Sequence, residues 1–183
     1  MSRLPAIETD KLSPEQRKVY DAIASGPRGG VRGPLLALLH APELADRIQR
    51  LGEYMRYETC FPPRLSELSI LLTARHHACQ YEWAVHEPHA LKGGLRQDVI
   101  DSIRERRDPE GLQADERLVY EFVTELLRGG RVSAEAHSGI VAAFSTRGAI
   151  ELSSLVGYYT LLAFILLAHE VPLPEGAQPP FGN

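Results

Sequence analysis

Residues 72–86 read LTARHHACQYEWAVH, and three kinds of reactive side chain crowd that stretch: the thiol of Cys79, the carboxylate of Glu82 and the imidazoles of His76, His77 and His86. On a helix each residue turns by about 100°, which puts Cys79, Glu82 and His86 within about 60° of one another on one face. Glu82 and His86 are four residues apart, so their side chains can touch. Such a pair raises the imidazole pKa toward or above neutrality and keeps the carboxylate ionised, giving a proton donor or acceptor near pH 7. The same spacing occurs in ordinary ion pairs on solvated helix faces, so spacing alone leaves both readings open. Cys79 is similarly open: a thiol at a helix N-terminus is acidified and reactive, whereas one inside a core is a small apolar filler. Tyr81 and Trp83 turn partly away, toward core or a subunit contact. The run HEPH (86–89) is not the HExxH zinc pattern, Pro88 limits the helix there, and no second ligand pair stands at a zinc spacing; no metal is expected.

A proton-transfer pair needs something to hold its substrate. The loop GPRGGVRGP (26–34) carries Arg28 and Arg32 among four glycines and two prolines. It lacks both GxGxxG after a strand and a Lys-Ser/Thr ending, so it is not a phosphate cradle. Its arginines suit a carboxylate, which a guanidinium grips as a fork, although an ordinary solvated turn has the same composition. Arg75, beside the histidines, is a third candidate for holding an acid, and Tyr81 a fourth.

The elements that must position these groups are helical throughout. Ser13 caps a helix with Pro14 at its first position and Gly26 as its stop. The apolar spacing of LLALLHAPELADRIQRLGEYMRYE is helical, with a break expected at Ala41-Pro42. RLSELSILLTARHH and CQYEWAVHEPHALKGG follow, the latter stopped at Gly93-Gly94. RQDVIDSIRERR, QADERLVYEFVTELLRGG, SAEAHSGIVAAFST and RGAIELSSLVGYYTLLAFILLAHEV complete the set. No strand pattern competes, so the chain is all-α with about seven or eight helices, irregular over 1–13 and with a Pro/Gly-rich tail over 172–183 that is mobile or draped over a neighbour.

The chain has 183 residues, 44 % of them hydrophobic, which is enough for a core and makes one domain over 1–183 the default. Its formal charge of −4 argues against nonspecific nucleic-acid binding. Two cysteines, Cys60 and Cys79, are too few for a disulfide scaffold, and no signal-like N-terminus is present, so the cytoplasm is the expected compartment. The apolar run 152–168 is shorter than the ~20 residues of a typical membrane span and is bracketed by Glu151 and His169. It reads as a helix buried in a core or between subunits.

The segment PPRLSELSILLTARHHACQYEWAVHEPHALKGGL (62–95) resembles the core motif of the carboxymuconolactone decarboxylase and AhpD-like superfamily. The redox branch of that superfamily has Glu, eleven residues, Cys-x-x-Cys, three residues and His. Glu67, Cys79 and His86 match its first, second and last positions, while Glu82 stands where the second cysteine would be. ALKGGL matches the stretch that usually follows, and LLHAPELADRIQRLGEYMRYE, DERLVYEFVTELL and RGAIELSSLVGYYTLLAFILLA resemble the decarboxylase-like members, so the likeness spans about residues 33–172. It implies an AhpD-like helical bundle with a helix break just before Cys79, a homo-oligomer such as a trimer or hexamer, and no cofactor. Three functions then compete. The first is a cofactor-free lyase or isomerase of the carboxymuconolactone decarboxylase type, acting on a small carboxylated lactone or enol acid. In it His86 is general acid or base, Glu82 and Glu67 support it, and Arg28, Arg32 or Arg75 hold the acid. The second is a one-thiol hydroperoxide reductase (peroxidase) built on Cys79, the two-thiol disulfide cycle being blocked by Glu82. The third is a non-catalytic oligomeric binding protein.

Overall fold

The computed structural model describes residues 2–182, and these form eight helices with no strand among them. In chain order they are α1 (Pro14–Ser25), α2 (Pro34–Leu38), α3 (Pro42–Tyr57), α4 (Pro63–His76), α5 (Gln80–Lys92), α6 (Gln97–Arg104), α7 (Ala114–Gly129) and α8 (Ala134–Ala168). The start signals are local. The Ser13 hydroxyl accepts from the Gln16 N–H while the Gln16 side chain accepts from the Ser13 N–H, closing a capping box ahead of Pro14. Pro34, Pro42 and Pro63 each open a helix at the position where a missing N–H costs nothing.

Helix α4 is the hub and packs against α5, α6, α7 and α8. Its apolar residues Leu65, Leu68, Leu71 and Ala74 are sealed, and its buried hydroxyls return to their own helix, Ser69 to the Leu65 carbonyl and Thr73 to the Ser69 carbonyl. One core joins α4 to α5–α7 and the first part of α8 through Trp83, Ile100, Phe122 and Leu152. A second joins α1–α3 to the latter part of α8 through Ile23, Ile48, Leu155 and Tyr159. Arg64 clamps α4 to α7 by donating at 2.6 Å to both Asp115 and Glu116.

Three local outcomes refine the sequence expectations. Pro88 does not end α5, which runs through it to Lys92. Pro88 is exposed, so the carbonyl its absent N–H leaves free can be solvated. The last two expected helices run together as α8, with a break at Ser145 (φ 67°, ψ 174°), within two residues of the expected junction. The C-terminal tail drapes over the chain's own core: the Phe181 ring meets Trp83 edge-on at 5.7 Å and lies 4.4 Å from the Arg75 guanidinium. Among the described residues α8 is the one helix long and apolar enough to cross a membrane, and half of its apolar window is buried against the rest of the chain.

Candidate active site

Between α4 and α5 the chain makes one sharp turn. Ala78 adopts a left-handed conformation (φ 53°), the Cys79 N–H returns to the Ala74 carbonyl at 2.8 Å, and α5 starts at Gln80. This is the break implied by the family resemblance. It sets α5 against α4 so that His86 meets a carboxylate from each helix. His86 Nδ1 lies 2.7 Å from Glu67 Oε2, and His86 Nε2 lies 3.4 Å from Glu82 Oε2. All three side chains are buried. Burial alone pushes the imidazole pKa down, but the charge and hydrogen bond of Glu67, with those of Glu82, outweigh it and raise His86 to about 9. The imidazole is therefore protonated at neutral pH. Its Nδ1 proton is committed to Glu67, and Nε2, loosely held by Glu82, is the position from which a proton can leave.

The pair does not face bulk water. It opens onto a cavity of about 410 Å³ whose walls come from the 26–34 loop, α3, α5 and α8. Arg28, Arg32 and Tyr81, nominated from the sequence, are among the residues that line it. Arg56 of α3 lines it too and lies 3.0 Å from the Nε2 of His89, whose pKa burial and Arg56 lower, so that His89 is neutral and accepts from the guanidinium. Tyr158 and Tyr159 of α8 close the far side. The Tyr159 ring stands edge-on to His86 at 5.0 Å, and burial together with Glu82 and Glu67 holds its phenol protonated. The Tyr158 hydroxyl packs beside the Arg28 guanidinium, and both Tyr158 Oη and Arg28 Nε are buried. Three guanidiniums and a protonated imidazole against two carboxylates leave the site net positive by two charges. That field suits a small anion carrying more than one carboxylate.

Gly52 makes room for this wall. A Cβ there would overlap both the Tyr158 hydroxyl and the Arg28 guanidinium. Gly52→Ala should destabilise the protein by about 1–3 kcal/mol through overpacking, against the roughly 1 kcal/mol that alanine normally gains over glycine inside a helix. Urea unfolding reads the difference, and a stabilised Gly52→Ala would contradict the packing.

Two sequence candidates stand elsewhere. Arg75 faces α6: its Nε donates to the Arg104 carbonyl at 2.6 Å and its guanidinium lies over Phe181, so it does not reach the cavity. Cys79 caps α5 with φ −81° and ψ 91°, outside helical geometry, and is not among the residues that line the cavity. Its side chain is only 1 % exposed and packs with Ala163 and Leu166. Burial pushes its thiol up to about 12, against the acidifying effect of the Glu82 and Tyr81 N–H groups. The thiolate that a peroxidatic reaction needs is therefore scarce at neutral pH. Cys60 and Cys79 are both free thiols.

A family model, the carboxymuconolactone decarboxylase family, matches residues 42–125, which include Glu67, Glu82 and His86. An AhpD-core, peroxidase-related protein from Ralstonia eutropha JMP134 superposes with a TM-score of 0.78 at 13 % identity, covering 95 % of this chain and 93 % of that one. Over residues 42–125 the chain is similar to the carboxymuconolactone decarboxylase family, and its fold is that of AhpD-like helical proteins. A protein of unknown function from Agrobacterium tumefaciens, a candidate antioxidant defence protein AhpD, aligns with a TM-score of 0.67 at 16 % identity over 78 % of this chain and 99 % of its own. The debrominase Bmp8 aligns with a TM-score of 0.72 at 15 % identity over 93 % and 91 %. At these identities the likeness speaks to the fold. No curated protein matches the sequence.

Proposed function

We propose that the chain is a cofactor-free lyase or isomerase acting on a small carboxylated lactone or enol acid. The observation that carries this reading is His86, buried between Glu67 and Glu82, at the wall of a cavity furnished with Arg28, Arg32 and Arg56. Substrate carboxylates would be held by the arginines, with the Tyr158 hydroxyl as a further donor. A carbonyl or lactone in the substrate accepts the electron pair when CO₂ leaves or when the Glu82 carboxylate takes a C–H proton. His86 Nε2 then delivers a proton to the carbon or oxygen that carries the charge, while Glu67 fixes the ring through Nδ1 and Glu82 takes part in returning the proton. Release of CO₂ from a carboxylate gripped tightly by Arg would be slow, so the arginines are assigned to the carboxylate that remains.

The test is turnover of the purified protein on carboxymuconolactone and related lactone and enol acids, followed by CO₂ release and by solvent-deuterium incorporation. Activity retained within about twofold in Cys79→Ala is expected, since that thiol is sealed away from the cavity. No turnover and no exchange on any such acid would contradict the reading, and loss of activity in Cys79→Ala with the fold intact would return the reaction to the thiol.

We also propose a homo-oligomer joined through α8, as the family resemblance implies. The outer face of α8 carries Ile150, Leu161, Phe164 and Leu167, each more than a third exposed, and a Cβ at Gly157 on the same side would meet open space. Sedimentation is expected to give a multiple of the 20.3 kDa chain mass, reduced toward that mass in Phe164→Glu. A wild-type protein that sediments as a monomer would contradict it.

A further inference from the structure

A second cavity, about 670 Å³ and mainly apolar, adjoins the His86 cavity. The two share three wall residues, Arg32, Tyr81 and Pro174. The floor of this groove is α2 with Val31, and its sides are the chain's two ends, Leu4 to Ile7 from the N-terminal arm and Val171 to Pro174 from the C-terminal tail. The ends are tied to each other: the Arg3 N–H donates to the His169 carbonyl at 2.9 Å, Arg3 Nη1 to the Ala168 carbonyl at 3.1 Å, and the Arg3 guanidinium pairs with Glu170 at 2.6 Å. His40 Nε2 meets the Pro5 carbonyl at 3.1 Å and holds the arm against α2. Gly33, with φ 53°, lets the loop pass under the Tyr81 ring at the junction, where a Cβ would overlap that ring. Among the described residues, Arg32 is the one arginine or lysine in the groove wall, and it stands where groove and cavity meet.

We infer that the groove holds an aliphatic tail on the substrate, so that the site takes amphiphilic carboxylic acids with the acid head at the Arg28/Arg32 end and the chain lying between the two terminal arms. The inference rests on the acid-binding reading of the His86 cavity and extends it. A polar metabolite would leave this apolar wall wet beside the site, whereas an alkyl chain of several carbons removes it from water. Arg32 at the junction is the one arginine or lysine in the groove wall and Glu175 on the C-terminal tail its one carboxylate among the described residues, so a ligand's negative charge is matched at the Arg32 end only.

The experiment is calorimetric titration of the full-length protein with straight-chain carboxylates from butanoate to decanoate, and with decanol. The dissociation constant should fall about fourfold for each added methylene until the groove is filled. In Leu173→Asp and in Leu4→Asp, both on the terminal arms and outside the packed cores, that length dependence should largely vanish while butanoate binds as in the wild type. Butanoate binding with no dependence on length would overturn the groove and leave the acid site standing; a groove occupied by a second copy of the chain gives this same result. Length dependence unchanged in both variants would also overturn it. Decanol binding as tightly as decanoate would overturn the acid site on which the inference depends.

Discussion

His86→Gln should lower turnover of any accepted acid by about 10²- to 10⁴-fold, the range spanned by a positioned general acid or base. Glutamine keeps the size and a hydrogen-bonding group toward Glu67 but has no proton to exchange near neutral pH. The substrate's affinity should change less than the rate, because the arginines and not His86 bear most of the carboxylate binding. Measuring kcat and KM separately distinguishes the two: a fall in kcat with KM within a fewfold fits an acid–base role, and an unchanged kcat would remove His86 from the chemistry. Glu67→Gln should also lower kcat, since it loosens the ring and withdraws the charge that keeps Nε2 protonated.

The second large effect is on stability against pH. His86 ordinarily titrates near 6.5 and is raised to about 9 in the folded chain. A group with a raised folded pKa stabilises the fold fully below its unfolded value, and that contribution is lost as the pH rises through the folded one. Stability should therefore fall between pH 6.5 and about 9, by about 3 kcal/mol at 1.36 kcal/mol per pH unit. His76, His77 and His89 are all lowered, mainly by burial, so around pH 6.5 the unfolded chain binds more protons at them and their contribution rises with pH; it opposes the His86 decline at the low end of the window and is complete by about pH 7.5. Urea unfolding at a series of pH values should show the decline in the wild type and its absence in His86→Gln. A flat profile in the wild type would mean that the imidazole is neutral between its two carboxylates.

The Glu82–His86 contact was legible because it lies within one helical turn and needs only the 3.6-residue period. Arg28 and Arg32 could be nominated from composition, although a solvated turn reads the same, and only the packing of the loop against α5 brings them to the cavity. Glu67 came into view through the spacing of a family motif, because nothing local ties position 67 to position 86. Arg56, Tyr158 and Tyr159 left no signal of their own: they reach the cavity only when α3 and α8 pack beside α5, and tertiary packing across about a hundred residues has no periodicity to read. Cys79 directly follows the left-handed Ala78, so a helical wheel does not describe its direction, and Arg75, in the last turn of α4, could be nominated as a carboxylate holder without any sign of its contact with Phe181. The eight-helix order, by contrast, follows from proline, glycine and capping signals that act within a few residues and survive any tertiary arrangement.

The central physical claim is that His86 carries its charge, buried between Glu67 and Glu82, at neutral pH. An NMR titration of the full-length protein labelled at its histidine imidazoles tests it directly, with the His86 signal assigned by its loss in His86→Gln. A midpoint near 9, moving down in Glu67→Gln, is the predicted result; a midpoint at or below 6.5 would contradict the account.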